Sequence, residues 1–428
     1  MPQPKAAATD RKALAYMLAS LGGKGVAALA QLCAISVFLR IHDADAAAVI
    51  FLLLGYATWF QLCELGLAQT AQNLFYRRWM GLRDLAAVVV GHQLLMLLAG
   101  AAVFFSGIAP ALLLPANRAL AGSDAVLAFS AGSALCVLNS TAVIAHRVLI
   151  VLHRGRLSNL LLLVQSLAII ASLLAYGAFG EVSLLHSVLA WALPQYLITL
   201  PLVMRLGCRL LRPGRRRIPV IRVFREAAGF FVTAALSSIL LGLDTFMIAR
   251  HLDGEGIVSY HVATRVFFLS FVAYYAYLVY AARRVTHADT AAAVAHVATI
   301  RRTANAIGFA SVALMFLIAL VLEESGLIAL LTNGGRIGGG LLLASLVYYL
   351  KRVYCDTGLT LIGNLSQRHR LAIIYLVQIG VSLVLMPVLA SRLNGAGIMA
   401  ALTVAYLTGL IFHAQPGKPP PSPATAHD

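Results

Sequence analysis

The chain has 428 residues, 61% of them hydrophobic and 11% charged, with a formal net charge of +17. A soluble domain is closer to half apolar and a quarter charged, so this composition excludes a water-exposed globule and calls for a bilayer. The five cysteines (Cys33, Cys63, Cys136, Cys208, Cys355) show no metal-ligand or redox spacing, and their odd number argues against a full disulfide framework; they read as small apolar packing residues.

Lys5, Arg11 and Lys12 lead into an apolar run at 13–39. That run is too long for the core of a cleaved signal and lacks a small-residue cleavage site, so it reads as a retained first span. A spanning helix takes about 20 mostly apolar residues. Further spans then fall at 46–75, 85–109, 124–146, 157–179, 182–204, 227–249, 257–281, 303–322, 341–364, 371–390 and 396–413, twelve in all. Segment 323–340 holds only the short run Leu327 to Leu331, broken by Asn333, Gly334 and Gly335, and reads as a re-entrant or surface loop. The proline-rich stretch after His413 reads as a disordered tail, 414–428.

Basic residues sort to one side of this arrangement. Arg77, Arg78 and Arg83, then Arg147, Arg154 and Arg156, the run from Arg205 to Arg225, Arg283, Arg284, Arg301 and Arg302, and Arg368 and Arg370 all share the side of the N-terminus. The rule that positive loops stay inside places both termini in the cytoplasm. Basic loops beside anionic membrane lipids account for the net charge without nucleic acid. The densest basic run divides the spans into halves, 1–204 and 227–413, joined by a linker at 205–226. The halves look related: Phe38-Leu39-Arg40-Ile41-His42-Asp43-Ala44-Asp45 recurs in outline as Ile248-Ala249-Arg250-His251-Leu252-Asp253-Gly254-Glu255, at an offset of 210. Both segments close spans that run in the same direction, which implies a parallel pseudo-two-fold along the membrane normal.

Seven ionisable residues break the apolar pattern inside spans: Lys24, Glu64, Asp244, Arg265, Lys351, Arg352 and Asp356. Each costs about 3 kcal/mol near the bilayer centre on insertion scales, so each needs a partner or a wet cavity. Lys24 sits among Gly22, Gly23 and Gly25 with Ser20 and Gln31 on its face; the alternatives are a cavity role and snorkelling to an interface. Glu64 belongs to a polar stripe of Thr58, Gln61, Gln69 and Gln72, where it either carries a proton or satisfies an interhelical hydrogen bond. Asp244 and Arg265 fall at matching depths in neighbouring spans, as a structural ion pair or as a coupling acid beside a binding cation. Arg352 and Asp356, four apart, can pair along one helix face, which leaves Lys351 without a local partner. Four cations against three acids leave surplus positive charge, which suits an anionic ligand such as a phosphate or diphosphate.

At these residues the chain resembles a family. Leu54-Gly55-Tyr56-Ala57-Thr58-Trp59-Phe60-Gln61-Leu62-Cys63-Glu64-Leu65-Gly66-Leu67, followed by Gln72-Asn73, is similar to the second span of polysaccharide flippases of the multidrug/oligosaccharidyl-lipid/polysaccharide (MOP) exporter superfamily, with Glu64 where Asp is more usual. Leu243-Asp244-Thr245-Phe246-Met247-Ile248 and Val258-Ser259-Tyr260-His261-Val262-Ala263-Thr264-Arg265 resemble its second-half signature, and Gly23-Lys24-Gly25 fits its first span. The likeness covers spans one, two, seven and eight; the rest matches in helix count.

The resemblance implies an all-α membrane protein of two six-helix bundles around a central cavity, working by alternating access. It implies an undecaprenyl-diphosphate-linked oligosaccharide as substrate, moved from the inner to the outer leaflet of the bacterial inner membrane for O-antigen or exopolysaccharide assembly. A polysaccharide polymerase and a chain-length regulator would be partners. Lys24, Arg265, Lys351 and Arg352 would hold the diphosphate. Asp244, Glu64 and Asp356 would gate, or couple to a proton or sodium gradient, and Gln31, Gln61 and Gln69 would line the cavity. No cofactor is implied. Two alternatives stand beside this expectation. A drug or cation exporter of the same superfamily would more often carry surplus carboxylates. A membrane enzyme of glycan assembly would need a large catalytic loop, whereas segment 323–340 has no nucleophile-base set, His92, His146 and His186 have no metal spacing, and no phosphate-binding glycine loop is present.

Overall fold

The computed structural model describes residues 36–76, 79–114, 122–152, 154–178, 183–208, 210, 220–286, 290–331, 336–364 and 368–413, with isolated positions 25, 26 and 33. Most of the first span, the tail 414–428 and residues 211–219 of the basic linker lie outside them. Among the described residues the secondary structure is helical: α1 (Ala44–Phe60), α2 (Leu67–Tyr76), α3 (Leu82–Ser106), α4 (Ile108–Leu113), α5 (Ser123–Val151), α6 (Gly155–Ala178), α7 (Leu184–Gly207), α8 (Val220–His251), α9 (Gly254–Phe268), α10 (Ser270–Thr286), α11 (Thr290–Glu324), α12 (Leu327–Leu331), α13 (Gly339–Asn364) and α14 (Arg368–His413).

Eight of these stretches are single helices long and apolar enough to cross a membrane. The eighth span is a bent pair, α9 and α10, which turn by 44° about Leu269. The tenth, α13, is diluted by Lys351, Arg352 and Asp356. The apolar part of α14, Arg370–Thr408, has 39 residues, roughly 58 Å of helix against a 30 Å hydrocarbon core. Asn394 breaks it with φ 50° and ψ −135°, so α14 is two spans. The eight stretches and the bent pair make nine candidate spans among the described residues, the longest of them divided at Asn394. The protein is a multi-pass membrane protein.

The helices pack within two bundles, α1–α7 and α8–α14. α8 begins at Val220, so helix replaces the last part of the expected 205–226 linker. Among the described residues of segment 323–340, the helix Leu327–Leu331 is too short to span. There α11 runs on to Glu324, whose neighbour Glu323 accepts from the Ile337 amide at 3.2 Å, and the Arg336 carbonyl accepts from Ser259 of α9 at 3.0 Å.

The internal repeat is visible bond by bond. The His42 amide donates to the Phe38 carbonyl and the Leu252 amide to the Ile248 carbonyl, both at 2.9 Å. Asp43 Oδ1 accepts from the Ala46 amide at 2.8 Å, and Asp253 Oδ1 from the Gly256 amide at 2.9 Å. Each aspartate caps the first turn of a helix, satisfying an amide that has no partner within the helix. Phe38 and Leu39 are buried at one corner, and Ile248 and Ala249 at the other.

The bundles meet along α1, α2, α8 and α9. At the loop end Gly254 lies directly against Asp45, so the two repeated corners touch. Midway, the Trp59 indole lies over the bare Cα of Gly242 and stacks on Phe246 at 6.3 Å. Farther along, a methyl group on Gly66 would stand 2.8 Å from the Phe231 amide nitrogen and 2.9 Å from the Ala227 carbonyl oxygen. Gly66 also has φ +70°, so only glycine meets both demands there.

Candidate functional site: two charged clusters and a cation pair

Four of the intramembrane charges converge in the second bundle. Asp244 of α8 accepts at Oδ2 from the Tyr260 hydroxyl of α9 (2.9 Å) and at Oδ1 from the Thr245 amide (2.7 Å) and hydroxyl (3.3 Å). Asp356 of α13 accepts at Oδ2 from Arg352 Nε (3.2 Å) and from the Tyr275 hydroxyl of α10 (2.7 Å). The Arg352 and Asp356 side chains are only 12% and 14% exposed. The Arg352 guanidinium also lies 5.0 Å from the Phe271 ring centroid. Asp244 is within electrostatic reach of Arg352, and Arg265 is within reach of Asp244 and Tyr349.

Aromatic rings wall this cluster. Tyr349 stacks on Phe267 at 5.3 Å, meets Phe271 edge-on at 5.4 Å, and donates to the Thr264 carbonyl at 3.1 Å. Tyr348 meets Tyr406 edge-on at 5.8 Å. The local sequence explains the convergence. Tyr348, Tyr349, Arg352 and Asp356 fall at three- and four-residue spacings on one helix, and the bend at Leu269 lets α9 supply Tyr260 and Arg265 while α10 supplies Phe271 and Tyr275. The result is two aspartates and two arginines, each partly buried, in a tyrosine-lined setting where removing one charge leaves another uncompensated.

Glu64 is elsewhere. The second span is not the continuous helix expected at 46–75. Gln61–Glu64 form a 3-10 turn, Leu65 and Gly66 are left-handed, and α2 starts afresh at Leu67. Glu64 Oε2 accepts from the Ala68 amide at 3.1 Å, capping the new helix, and Arg147 of α5 is its electrostatic neighbour. The break leaves the Cys63 carbonyl without a helical donor. His92 of α3 supplies one from Nε2 at 2.6 Å; since a carbonyl only accepts, the proton sits on Nε2, and in the neutral ring Nδ1 accepts from the Thr141 hydroxyl at 2.9 Å. Gln69 Nε2 donates to Asn73 Oδ1 at 3.5 Å, the limit of a hydrogen bond. Gly66 packs on Phe231, and Asp244 lies thirteen residues farther along the same helix, roughly 20 Å away. Glu64 and Asp244 therefore belong to separate clusters.

Lys351 points to neither. Its Nζ lies 5.5 Å from the Tyr354 ring centroid, on the side of α13 that faces α11. Arg301 of α11 approaches the same ring at 4.7 Å and donates to its hydroxyl. Lys24 and Gln31 lie outside the described residues, as does the side chain of Gln61. The sequence expectation grouped Lys351 with Arg265 and Arg352; the structure separates it, because adjacent residues on a helix point about 100° apart. Arg301, His92 and the tyrosines were not among the expected site residues. Arg301 was counted with the basic loops, and His92 meets Cys63 and Thr141 only through tertiary packing.

No family model matches the sequence, and no curated protein matches it. Solved structures do. The chain superposes with a TM-score of 0.66 on the inward-facing conformation of a multidrug resistance MATE family transporter of the MOP superfamily, at 14% identity over 90% of this chain and 93% of that one. The lipid II flippase MurJ, in an inward closed conformation, gives 0.68 at 12% identity, covering 94% and 86%. A MOP superfamily transporter from Pyrococcus furiosus gives 0.64 at 16%, covering 94% of each chain. The chain has the fold of these structures. That fold carries the two-lobe architecture expected from the twelve spans and the repeat.

Proposed function

We propose that this chain is a secondary transporter that flips an undecaprenyl-diphosphate-linked oligosaccharide from the inner to the outer leaflet of a bacterial inner membrane, with both termini cytoplasmic. The charge left over after pairing supports this reading. Asp244 and Asp356 sit among Arg265 and Arg352, while Lys351 and Arg301 share a tyrosine and are paired with no carboxylate among the described residues. Surplus positive charge at membrane depth favours an anionic cargo. Asp244, whose hydrogen bonds come from neutral donors, is the acid assigned to coupling with a proton or sodium gradient.

The test is a leaflet-resolved assay. Purified protein in proteoliposomes, given a fluorescent lipid-diphosphate-linked glycan in one leaflet, is expected to move it to the other faster than protein-free vesicles. Equal rates with and without protein would sink the reading.

A multidrug exporter is the second reading, since MATE transporters share the fold and an aromatic-lined site suits flat organic cations. Against it, Arg352 already covers the Phe271 face. Uptake of an organic dye cation by the same proteoliposomes, without glycan movement, would favour this alternative.

A further inference from the structure

Tyr354 is the centre of an arrangement with donors and no acceptor. Arg301 donates to its hydroxyl oxygen, so the hydroxyl proton points onward, and no acceptor for it is present among the described residues. Lys351 approaches the same ring, its Nζ 5.5 Å from the centroid. Distances of 4.7 and 5.5 Å to one centroid hold the two charges within about 10 Å, one Debye length at 0.1 M salt. Arg301, Lys351 and Tyr354 are all half-buried, so water screens the repulsion only in part. Two like charges held this way need a counter-charge, and among the described residues no carboxylate supplies one. Asp356, two residues beyond Tyr354, is already engaged by Arg352 and Tyr275 on the far side of α13.

The position along the membrane is also informative. Arg301 lies near the start of the span-length stretch Val297–Glu324 of α11, on the side of the arginine-rich loops, and exposed Arg302 adjoins it. Lys351 lies near the middle of α13. The three donors thus cluster between α11 and α13, Arg301 from near the start of one span-length stretch and Lys351 and Tyr354 from near the middle of α13.

We infer that Arg301, Lys351 and Tyr354 bind the diphosphate of a lipid taken from the arginine-rich side of the membrane. The guanidinium takes one phosphoryl group, the ammonium the other, and the tyrosine hydroxyl donates to an oxygen between them. A group bearing two or more negative charges matches two cations and a neutral donor, and it converts their repulsion into attraction. This site is distinct from the balanced Asp244–Arg352 cluster, and the inference rests on the flippase reading for its choice of a lipid-borne diphosphate.

The test uses full-length protein in nanodiscs containing undecaprenyl diphosphate, with inorganic pyrophosphate and phosphatidylglycerol nanodiscs as separate arms. Thermal stabilisation and native mass spectrometry report binding. Lys351→Gln and Arg301→Gln are each expected to weaken undecaprenyl diphosphate binding at least tenfold, Lys351→Arg to retain most of it, and Arg302→Gln to leave it unchanged. Binding as tight in Lys351→Gln as in the parent, an equal loss in Arg302→Gln, or equal binding of phosphatidylglycerol would overturn the assignment. Tight pyrophosphate binding without lipid diphosphate binding would overturn the lipid source. If the flippase reading alone is wrong, the lipid diphosphate binds at these residues but is not moved between leaflets.

Discussion

Asp43 and Asp253 stand 210 residues apart and cap their helices with the same bond, 2.8 Å to the amide three residues on in one case and 2.9 Å in the other. Both corners carry the same backbone bonds around the cap. Asp43→Ala and Asp253→Ala are each expected to lower stability by about 1 kcal/mol, and by similar amounts. Thermal denaturation in detergent checks this; a large difference between the two would mean the corners are not equivalent.

The pairing of Arg352 with Asp356 calls for a double-mutant cycle. Removing either partner alone leaves a nearly buried charge uncompensated, a loss of about 3–5 kcal/mol. Arg352→Gln with Asp356→Asn together should cost less than the sum of the two. Additive losses would show that the contact carries no coupling.

Tyr260→Phe removes a 2.9 Å hydrogen bond to the Asp244 carboxylate and leaves the ring in place. The expected cost is about 1.5–3 kcal/mol if Asp244 is ionised in this state. Transport should slow and its pH profile should move, because the Asp244 carboxylate loses a hydrogen-bond donor. An unchanged profile would remove Asp244 from coupling.

Gly66 and Gly242, two of the glycines at the bundle seam, differ in kind. Gly66→Ala meets fixed backbone atoms of Ala227 and Phe231 and also forces a left-handed alanine, so a loss of about 1–3 kcal/mol is expected from the strain alone. Gly242→Ala meets only the Trp59 side chain, and Trp59→Leu should relieve it. Failure of that second change to restore thermal stability would place the conflict elsewhere.

His42, in the corner between the first two spans, is held below its ordinary value of 6.5 by burial, which the neighbouring Asp43 opposes in part. Its ring nitrogen Nε2 meets the Ser187 hydroxyl at 2.6 Å. The unfolded chain binds a proton there more readily than the folded one, so stability should fall as pH drops below about 6.5. His42→Gln should flatten the melting temperature between pH 7 and pH 5; an identical pH dependence would assign the effect to other groups.

The spans were legible because a bilayer imposes length and apolarity on every segment, and the repeat was legible because its corners keep their polar order. The Arg352–Asp356 pair was legible from spacing alone. The break at Gln61–Gly66 was not, since no proline marks it and the polar stripe keeps helical spacing through it; only the left-handed backbone at Leu65 and Gly66 shows it. Arg301 and Tyr354 are 53 residues apart, a contact set by how α11 packs on α13. The tyrosines read as ordinary core, and only tertiary structure shows which of them donate to carboxylates.

The meeting of Asp45 with Gly254 has a consequence for biogenesis. Asp45 leaves the ribosome 209 residues before its partner, roughly 10–40 s earlier at 5–20 residues per second. For most of that interval the rest of the first bundle, up to Gly207, is still being made, and Trp59 has Tyr56 of its own helix to lie against but neither Gly242 nor Phe246. The seam is therefore a surface that the first bundle cannot complete until α8 and α9 have been made.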